Sequence, residues 1–321
     1  YDSTSGGLAT QLLIFALHEG IIDGALVTRM KKDKPLEPEP FIARTREDII
    51  EASKARYCPV PANIALKEIL NSKEGEKFAV VGLPCHIHGV RKAMMVSGKL
   101  RERIILLLGL FCNHTPTFFA TDYILYKAKT NREQVKKLHY RGKGWPGSMN
   151  IGLESGEILL LPDYWGGGFG SFFYPLRCLT CIDALSELAD ISFGDAWLPE
   201  FSNDKIGTAV IISRTHAGEQ LLQNAISRGV IELRETSPTK VKQCQKGLLY
   251  RKKTKTNAHI ALLRMFHRKA PAYSARLLKP QAKDYLDSAR LYLRASISTK
   301  RISWRLIRIY AFSRSAIVHL G

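Results

Sequence analysis

Cysteine is scarce in this sequence, with six in 321 residues. Six are too few for a disulfide scaffold, which excludes the small secreted class held together by bridges. Long apolar runs are missing as well. No stretch reaches the eighteen residues that mark a transmembrane helix, and the longest, 104–111, has the length of a strand. The first residues show no basic and apolar leader, because Tyr1 and Asp2 run into a glycine-rich turn. The expectation is a chain without a cleavable signal peptide, located in the cytoplasm. Acidic residues are nearly absent from one end. Residues 240–321 hold 20 Lys/Arg against 2 Asp/Glu, a charge of +18, whereas 1–239 hold 28 against 27, a charge of +1. Charge segregated in this way suits contact with something acidic: a membrane surface, a partner subunit or a nucleic acid. No recognised nucleic-acid module accompanies it, so nucleic acid is the least favoured of the three.

What is present is alternation. Leu8, Leu12, Leu13, Ala16 and Leu17 predict a helix that stops at Glu19-Gly20, and 21–28 reads as a strand. The amides after Ser5-Gly6-Gly7 stand at a helix start and suit a phosphate, although a Gly-Gly pair is equally a plain tight turn. Residues 31–40 read as a charged, proline-rich loop. Helices over 46–54 and 64–70 lead to a buried strand at 78–82, a helix at 90–95, a strand at 104–109, a helix at 117–128 and a strand at 135–140. Met149 to Leu153 and 157–161 form a hairpin around Ser155-Gly156. The aromatic, glycine-laden stretch 163–173 reads as a flexible loop, 207–213 as a core strand, 219–227 as a helix and 229–233 as a last short strand. The class is α/β: a mixed sheet with flanking helices, plus a basic helical C-terminal extension. The expected domains are a body over 1–239 and a docking region over 240–321, with helical patches at 258–266 and 285–297. In 301–312, Ile302, Leu306, Ile309 and Tyr310 share a face that Trp304 and Ile307 widen, beside Arg301, Arg305 and Arg308. Such a helix lies on an anionic membrane, docks into a partner groove or covers the protein's own core.

Chemistry concentrates in the cysteines. Cys178 and Cys181 form a CxxC pair that can grip one metal through a tight turn. Cys85 and Cys112 each follow a predicted strand, where open α/β sheets place ligand groups. Four thiolates from three loops suit an iron–sulfur cluster or a structural zinc. Cys58 and Cys244 read as buried free thiols. His86 and His88 are candidates for proton handling, with surface roles equally open. The turn Arg141-Gly142-Lys143-Gly144-Trp145-Pro146-Gly147 is basic and glycine-rich with one large aromatic, which suits an anionic or flat ligand.

Six blocks in order carry a more specific resemblance: Ser5-Gly6-Gly7-Leu8-Ala9-Thr10, Gly20 to Ala25, Gly82-Leu83-Pro84-Cys85-His86-Ile87, Gly109-Leu110-Phe111-Cys112, Arg141 to Gly147, and Cys178-x-x-Cys181-x-Asp183 followed by Ala189 to Trp197. Over residues 1 to about 235 the sequence resembles the beta-subunit family of coenzyme F420-reducing hydrogenases and dehydrogenases. That resemblance implies FAD and one [4Fe–4S] cluster, with Cys85, Cys112, Cys178 and Cys181 as cluster ligands. It implies that Ser5, Gly6, Gly7, Thr10, Tyr57, Lys143 and Trp145 lie at or near the flavin. Arg141 and Lys143 would then hold the FAD pyrophosphate or the acidic tail of F420. Cys58, directly after the family's tyrosine position, is not carried over, though it is the thiol that stands as a replacement for one of the four. The implied activity is electron passage between coenzyme F420, as hydride donor or acceptor, and a one-electron carrier or partner subunit. A ferredoxin-dependent reductase of another organic substrate shares these motifs. A zinc-stabilised interaction protein is the reading from another class. Many family members carry an upstream ferredoxin-like segment with CxxCxxC spacing, which this sequence does not contain, so the expectation is that the chain either lacks those clusters or receives electrons from a partner. The basic region is expected to meet that partner or the cytoplasmic membrane face.

Overall fold

Short, nearly continuous apolar strands set the centre of the fold. The computed structural model describes residues 3–274, 277–310 and 318–320. In chain order the strands are β1 (Gly24–Met30), β2 (Pro38–Ala43), β3 (Phe78–Gly82), β4 (Ile104–Leu110), β5 (Val135–His139), β6 (Met149–Leu153), β7 (Ile158–Leu161), β8 (Ile191–Asp195), β9 (Ala209–Ser213) and β10 (Val318–Leu320). Six form a mixed sheet in the order β2-β1-β3-β4-β8-β9, parallel through its four central strands and antiparallel at both edges. The pleat points successive side chains to opposite faces, and helices cover both. Ala79, Leu106 and Leu108 pack beneath the helices Leu8–His18 and His216–Ser227, in one core with Leu12, Ala16 and Leu222. Phe78, Val80 and Leu107 face the other way, against Ile69, Ile87, Val90 and Leu100. The fold is therefore α/β with a mixed sheet and flanking helices, as the sequence predicts.

Asp190 fixes how β8 meets β4. Its Oδ2 accepts from the Leu107 amide at 2.7 Å and its Oδ1 from Arg91 at 2.9 Å, while its own amide donates to the Leu107 carbonyl. Asp190→Ala would leave a buried amide in β4 unpaired. A loss of about 2 kcal/mol is expected, read as a lower urea midpoint at unchanged m-value.

A second sheet, β10-β7-β6-β5, is antiparallel throughout. Val135, Leu138, Ile151 and Leu159 of its inner face share a core with Tyr123 and Ile124 of the helix Phe118–Lys127. Several expectations need correction here. The stretch 163–173 is no flexible loop. It folds into short helical turns (Trp165–Phe169 and Gly170–Phe172) that bury Tyr164, Phe169, Phe172 and Phe173 in this core. Gly168 lies at a φ of +101°, where an added Cβ would sit 3.1 Å from Ile307 and 3.3 Å from Tyr123. Ala209–Ser213 is an edge strand rather than a core strand. Residues 229–233 form no strand; Val230, Ile231 and Leu233 pack as irregular chain against the first core. The loop expected at 31–40 in fact enters β2, whose Pro38 and Pro40 are tolerated because β2 is a sheet edge.

The basic region forms helices at Pro238–Cys244, Lys246–Tyr250, Thr256–Met265, Ala282–Ser298 and Trp304–Tyr310. The face predicted for 301–312 divides in two. Trp304 and Ile307 are buried, at 3% and 1% exposure, against Tyr123 and Phe173 and their neighbours, so this helix does cover the protein's own core. Ile302, Leu306 and Ile309 point outward beside Arg301, Arg305 and Arg308. Ala311 and Phe312 lie outside the described residues. Among the described residues no helix is long and apolar enough to cross a membrane.

Candidate functional site

The carboxyl ends of β3 and β4 deliver the first two cysteines. β3 runs into the helix Pro84–Val96, which starts on a proline whose fixed φ suits the first helical position and carries Cys85 next. β4 runs into Phe111 and Cys112, whose amides donate to the carbonyls of Phe193 at 2.7 Å and Ala184 at 3.0 Å. That second bond draws the loop bearing Cys178 and Cys181 onto the same edge. Gly109 is what lets the loop close: a Cβ there would stand 2.2 Å from Ser186 Oγ and 2.7 Å from Ala189 Cβ. The Asp183 carboxylate accepts from the Leu185 and Glu187 amides and shapes the turn beyond Cys181. Thr256 donates to the Cys181 carbonyl at 3.3 Å and Tyr273 to the Thr180 carbonyl at 2.7 Å, so the basic region braces the loop.

The four thiols form one electrostatic group. Burial pushes Cys112 up to about 12, against the pull of the Lys252 ammonium, and Cys178, Cys85 and Cys181 oppose its ionisation further. Partial desolvation raises Cys85, and Cys181 and Cys178 add to the effect. Burial also raises Cys178, with the Thr115 backbone and Lys252 acting the other way. All four are free thiols. Among the described residues no group of three or more His, Cys, Asp or Glu stands in ligand geometry around a common point. Cys58 belongs elsewhere: it is buried against Tyr140 in the core of the second sheet, with Arg56 and Tyr140 as its charged or polar neighbours. Cys244 packs with Leu198 and Val210.

Asp195, the last residue of β8, is the hub of a second cluster. Its carboxylate accepts from Ser5 Oγ on one oxygen and from Arg141 at 2.6 Å on the other, and its carbonyl accepts from Gln245 at 2.6 Å. Arg141 also donates to the Pro146 carbonyl at 2.6 Å, which folds the 141–147 turn around its own guanidinium. Burial works against that charge, but Tyr57 and Asp195 outweigh it and hold the Arg141 pKa above its ordinary value. Gly6 and Gly7 sit at φ +74° and +72°, and the Gly6 amide donates to the Ile206 carbonyl at 3.3 Å. Gly207 is required by close approach: a Cβ there would lie 2.6 Å from the Trp145 ring and 3.0 Å from Ser5 Cα. Trp145 lies 4.8 Å from Trp197, and its indole Nε1 is buried without a partner. Thr10 lies half-buried in the first turn of the helix Leu8–His18, and Lys143 is exposed at the rim at φ +57°. Of the sequence-predicted residues, Ser5, Gly6, Arg141 and Trp145 thus meet around Asp195 and its neighbouring loops, with Tyr57 alongside.

A chain of rings runs between the two clusters. Tyr57 packs on Trp165 at 4.8 Å, Trp165 on His114 at 5.6 Å, and His114 stacks on Tyr174 at 3.8 Å. The Tyr174 hydroxyl accepts from Arg251 at 2.6 Å, and both residues line a cavity of about 10 Å³ with Asn113, Cys178, Lys252 and His259. Both His114 ring nitrogens are buried without a partner; burial and then the charges of Arg251 and Lys252 hold its pKa well below the ordinary value. His86 is committed elsewhere, its Nδ1 accepting from the Leu83 amide at 3.3 Å as a helix cap, and burial lowers its pKa. His88 is exposed at the surface of that helix and takes part in neither cluster. Sequence reasoning missed Asp195 as a hub, and His114, Tyr174, Gln245 and Lys252 altogether. For Asp195 the signal was its place at the end of the Gly194-Asp195 block; the others lie in no periodic or spaced pattern.

Residues 1–67 match the amino-terminal part, and residues 75–239 the carboxyl-terminal part, of the family described as coenzyme F420 hydrogenase/dehydrogenase, beta subunit. The coenzyme F420 hydrogenase subunit beta of Methanosarcina barkeri is 31% identical over 73% of this chain and 77% of its own length. The protein of the same name from Methanothermobacter thermautotrophicus is 31% identical over 80% and 87%. A coenzyme F420-dependent sulfite reductase of Methanocaldococcus jannaschii is 27% identical over 73% of this chain but 36% of its own. Among solved structures, a chain of the F420-reducing [NiFe] hydrogenase complex from Methanosarcina barkeri superposes with a TM-score of 0.66 at 26% identity, covering 85% of this chain and 91% of that one.

Proposed function

Because the chain belongs to the coenzyme F420 hydrogenase/dehydrogenase beta-subunit family, we propose that it is a flavin and iron–sulfur oxidoreductase that passes electrons between coenzyme F420 and a partner subunit or one-electron carrier. The observation that carries this reading is the placement of Cys85 and Cys112 just beyond the carboxyl ends of the neighbouring strands β3 and β4, with the loop that follows Cys178 and Cys181 tied to the Cys112 amide through the Ala184 carbonyl, one ring chain away from the Arg141–Asp195 cluster. Four sulfur donors fit a [4Fe–4S] centre, which is held by thiolates. An FAD fits the other cluster. It would offer the Arg141 and Lys143 cations and the positive-φ Ser5–Gly7 turn for phosphate, and the buried Trp145 Nε1 is a donor without a protein partner. When bound, the flavin supplies two-electron exchange with the deazaflavin and one-electron exchange with the cluster.

The chain's own residues do the placing. Arg141 neutralises Asp195 and Ser5 hydrogen-bonds it, which holds their loops in register, and the packed rings of Trp165, His114 and Tyr174 fill the space between the two clusters. The outward ridge of Ile302, Leu306 and Ile309, flanked by arginines, is assigned to the partner subunit or an acidic surface.

The test is an anaerobic spectrum of the purified chain with iron, sulfide and released flavin quantified on the same sample, followed by addition of reduced F420. About four irons and one FAD per chain, with bleaching of the flavin band by reduced F420, is the expected result. Stoichiometric zinc without flavin would overturn it. Bleaching by reduced ferredoxin alone would move the chain to the ferredoxin-dependent reductases.

A further inference from the structure

We propose that Lys252, carried by the basic region outside both family matches, is the fixed counter-charge of the four-cysteine centre and sets its reduction potential. The inference rests on the iron–sulfur assignment above and concerns a residue which that assignment does not use.

Lys252 is 2% exposed, an unusual place for a lysine. An ammonium held away from water is unfavourable unless an anion pairs with it. Its neighbours in sequence have found carboxylates: Lys253 meets Glu187 at 2.5 Å and Lys255 meets Asp287 at 2.5 Å. Among the described residues no carboxylate lies within ion-pair distance of Lys252. It lines the small cavity beside Cys178 and Asn113, and its charge acts on Cys112 and Cys178. Of the other groups around that cavity, Arg251 adds like charge and the His259 ring is held neutral by burial, so neither compensates it. The missing anion is thus the thiolate set itself, ionised when it ligates iron. The local fold supports the placement. The turn Arg251–Lys255 is wound as a π-helix, which departs from the regular repeat and puts Lys252 and Thr254 inward while Lys253 and Lys255 reach the surface pairs.

A fixed positive charge in a site sheltered from water favours the state with one more electron. Removing it makes the centre harder to reduce, and burial keeps salt from masking the difference. Lys252→Met keeps length and removes charge; Lys252→Arg keeps charge; Lys253→Met removes a neighbouring surface charge as a control.

The full chain would be purified anaerobically in all four forms, iron and sulfide counted, and the centre titrated potentiometrically with electron paramagnetic resonance as readout. Lys252→Met is expected to retain its iron while the reduced-to-oxidised ratio at the wild-type midpoint falls at least tenfold, equivalent to about 59 mV for a one-electron couple. Lys252→Arg and Lys253→Met should stay near the wild-type midpoint, and the Lys252→Met shift should persist at high salt. Lys252→Gln carries the same expectation if the methionine variant fails to fold. An iron-loaded Lys252→Met chain with the wild-type midpoint overturns this inference alone. A wild-type chain without iron overturns the parent assignment and this inference with it.

Discussion

Cys112→Ser is expected to strip the chain of nearly all its iron and of the associated visible absorbance, while Cys244→Ser keeps both. The two residues make a sharp pair because each is a free thiol shielded by protein. They differ in company. Cys112 stands in the electrostatic group with Cys85, Cys178 and Cys181, whereas Cys244 packs against Leu198 and Val210. A serine hydroxyl is a poor substitute for a soft thiolate toward iron. Loss of a residue that merely supports a ligand costs about 10–100-fold in metal affinity or activity, so loss of a ligand should exceed that range. Iron per chain by colorimetric assay decides the matter. Equal iron in Cys112→Ser and wild type would remove Cys112 from the centre.

Asp195→Asn carries the second large effect. Arg141 and Asp195 have side chains only 10% and 14% exposed, and the carboxylate also receives Ser5. Removing one charge of a buried pair leaves the other uncompensated, which costs about 3–5 kcal/mol. The urea midpoint should fall accordingly, and bound flavin should be lost with it. A double variant separates the two roles. Arg141→Met with Asp195→Leu removes both charges together, so its stability should recover much of that loss. Flavin binding should not recover, because the cation is gone. A double variant that rebinds flavin at the wild-type level would reduce Arg141 and Asp195 to a structural pair.

Much of this architecture is legible in residue patterns, for identifiable reasons. β3 and the β6–β7 hairpin have the predicted positions to within a residue because each is a short apolar run bounded by glycine or a Ser-Gly turn. The neighbourhood of the thiols is legible because Cys85 and Cys112 follow predicted strands, and the structure does place them beyond the carboxyl ends of β3 and β4. Legibility fails where a tertiary contact reverses a local signal. Glycine and aromatics over 163–173 suggest mobility, yet Phe169 and Phe173 are fully buried once Trp304 and Ile307 arrive from far along the chain. Pro38 and Pro40 suggest a loop, yet an edge strand accepts them. Val230, Ile231 and Leu233 have strand chemistry but no free strand edge to join. Lys252 is the sharpest case. Within a segment of charge +18 it reads as one more solvated lysine, and only a π-turn hidden from any composition count sends it inward.

The bracing of the CxxC loop has a consequence for how the protein is made. Thr256 and Tyr273, whose hydroxyls hold the Cys181 and Thr180 carbonyls, lie 75 and 93 residues downstream of those carbonyls. A ribosome adding about 5–20 residues per second releases the cysteine loop roughly 4–15 s before Thr256 exists. During that interval all four thiols have been synthesised, and the segment that closes over them has not. The CxxC loop is thus complete in sequence before the hydroxyls that brace it exist, and its final shape waits on the C-terminal helices.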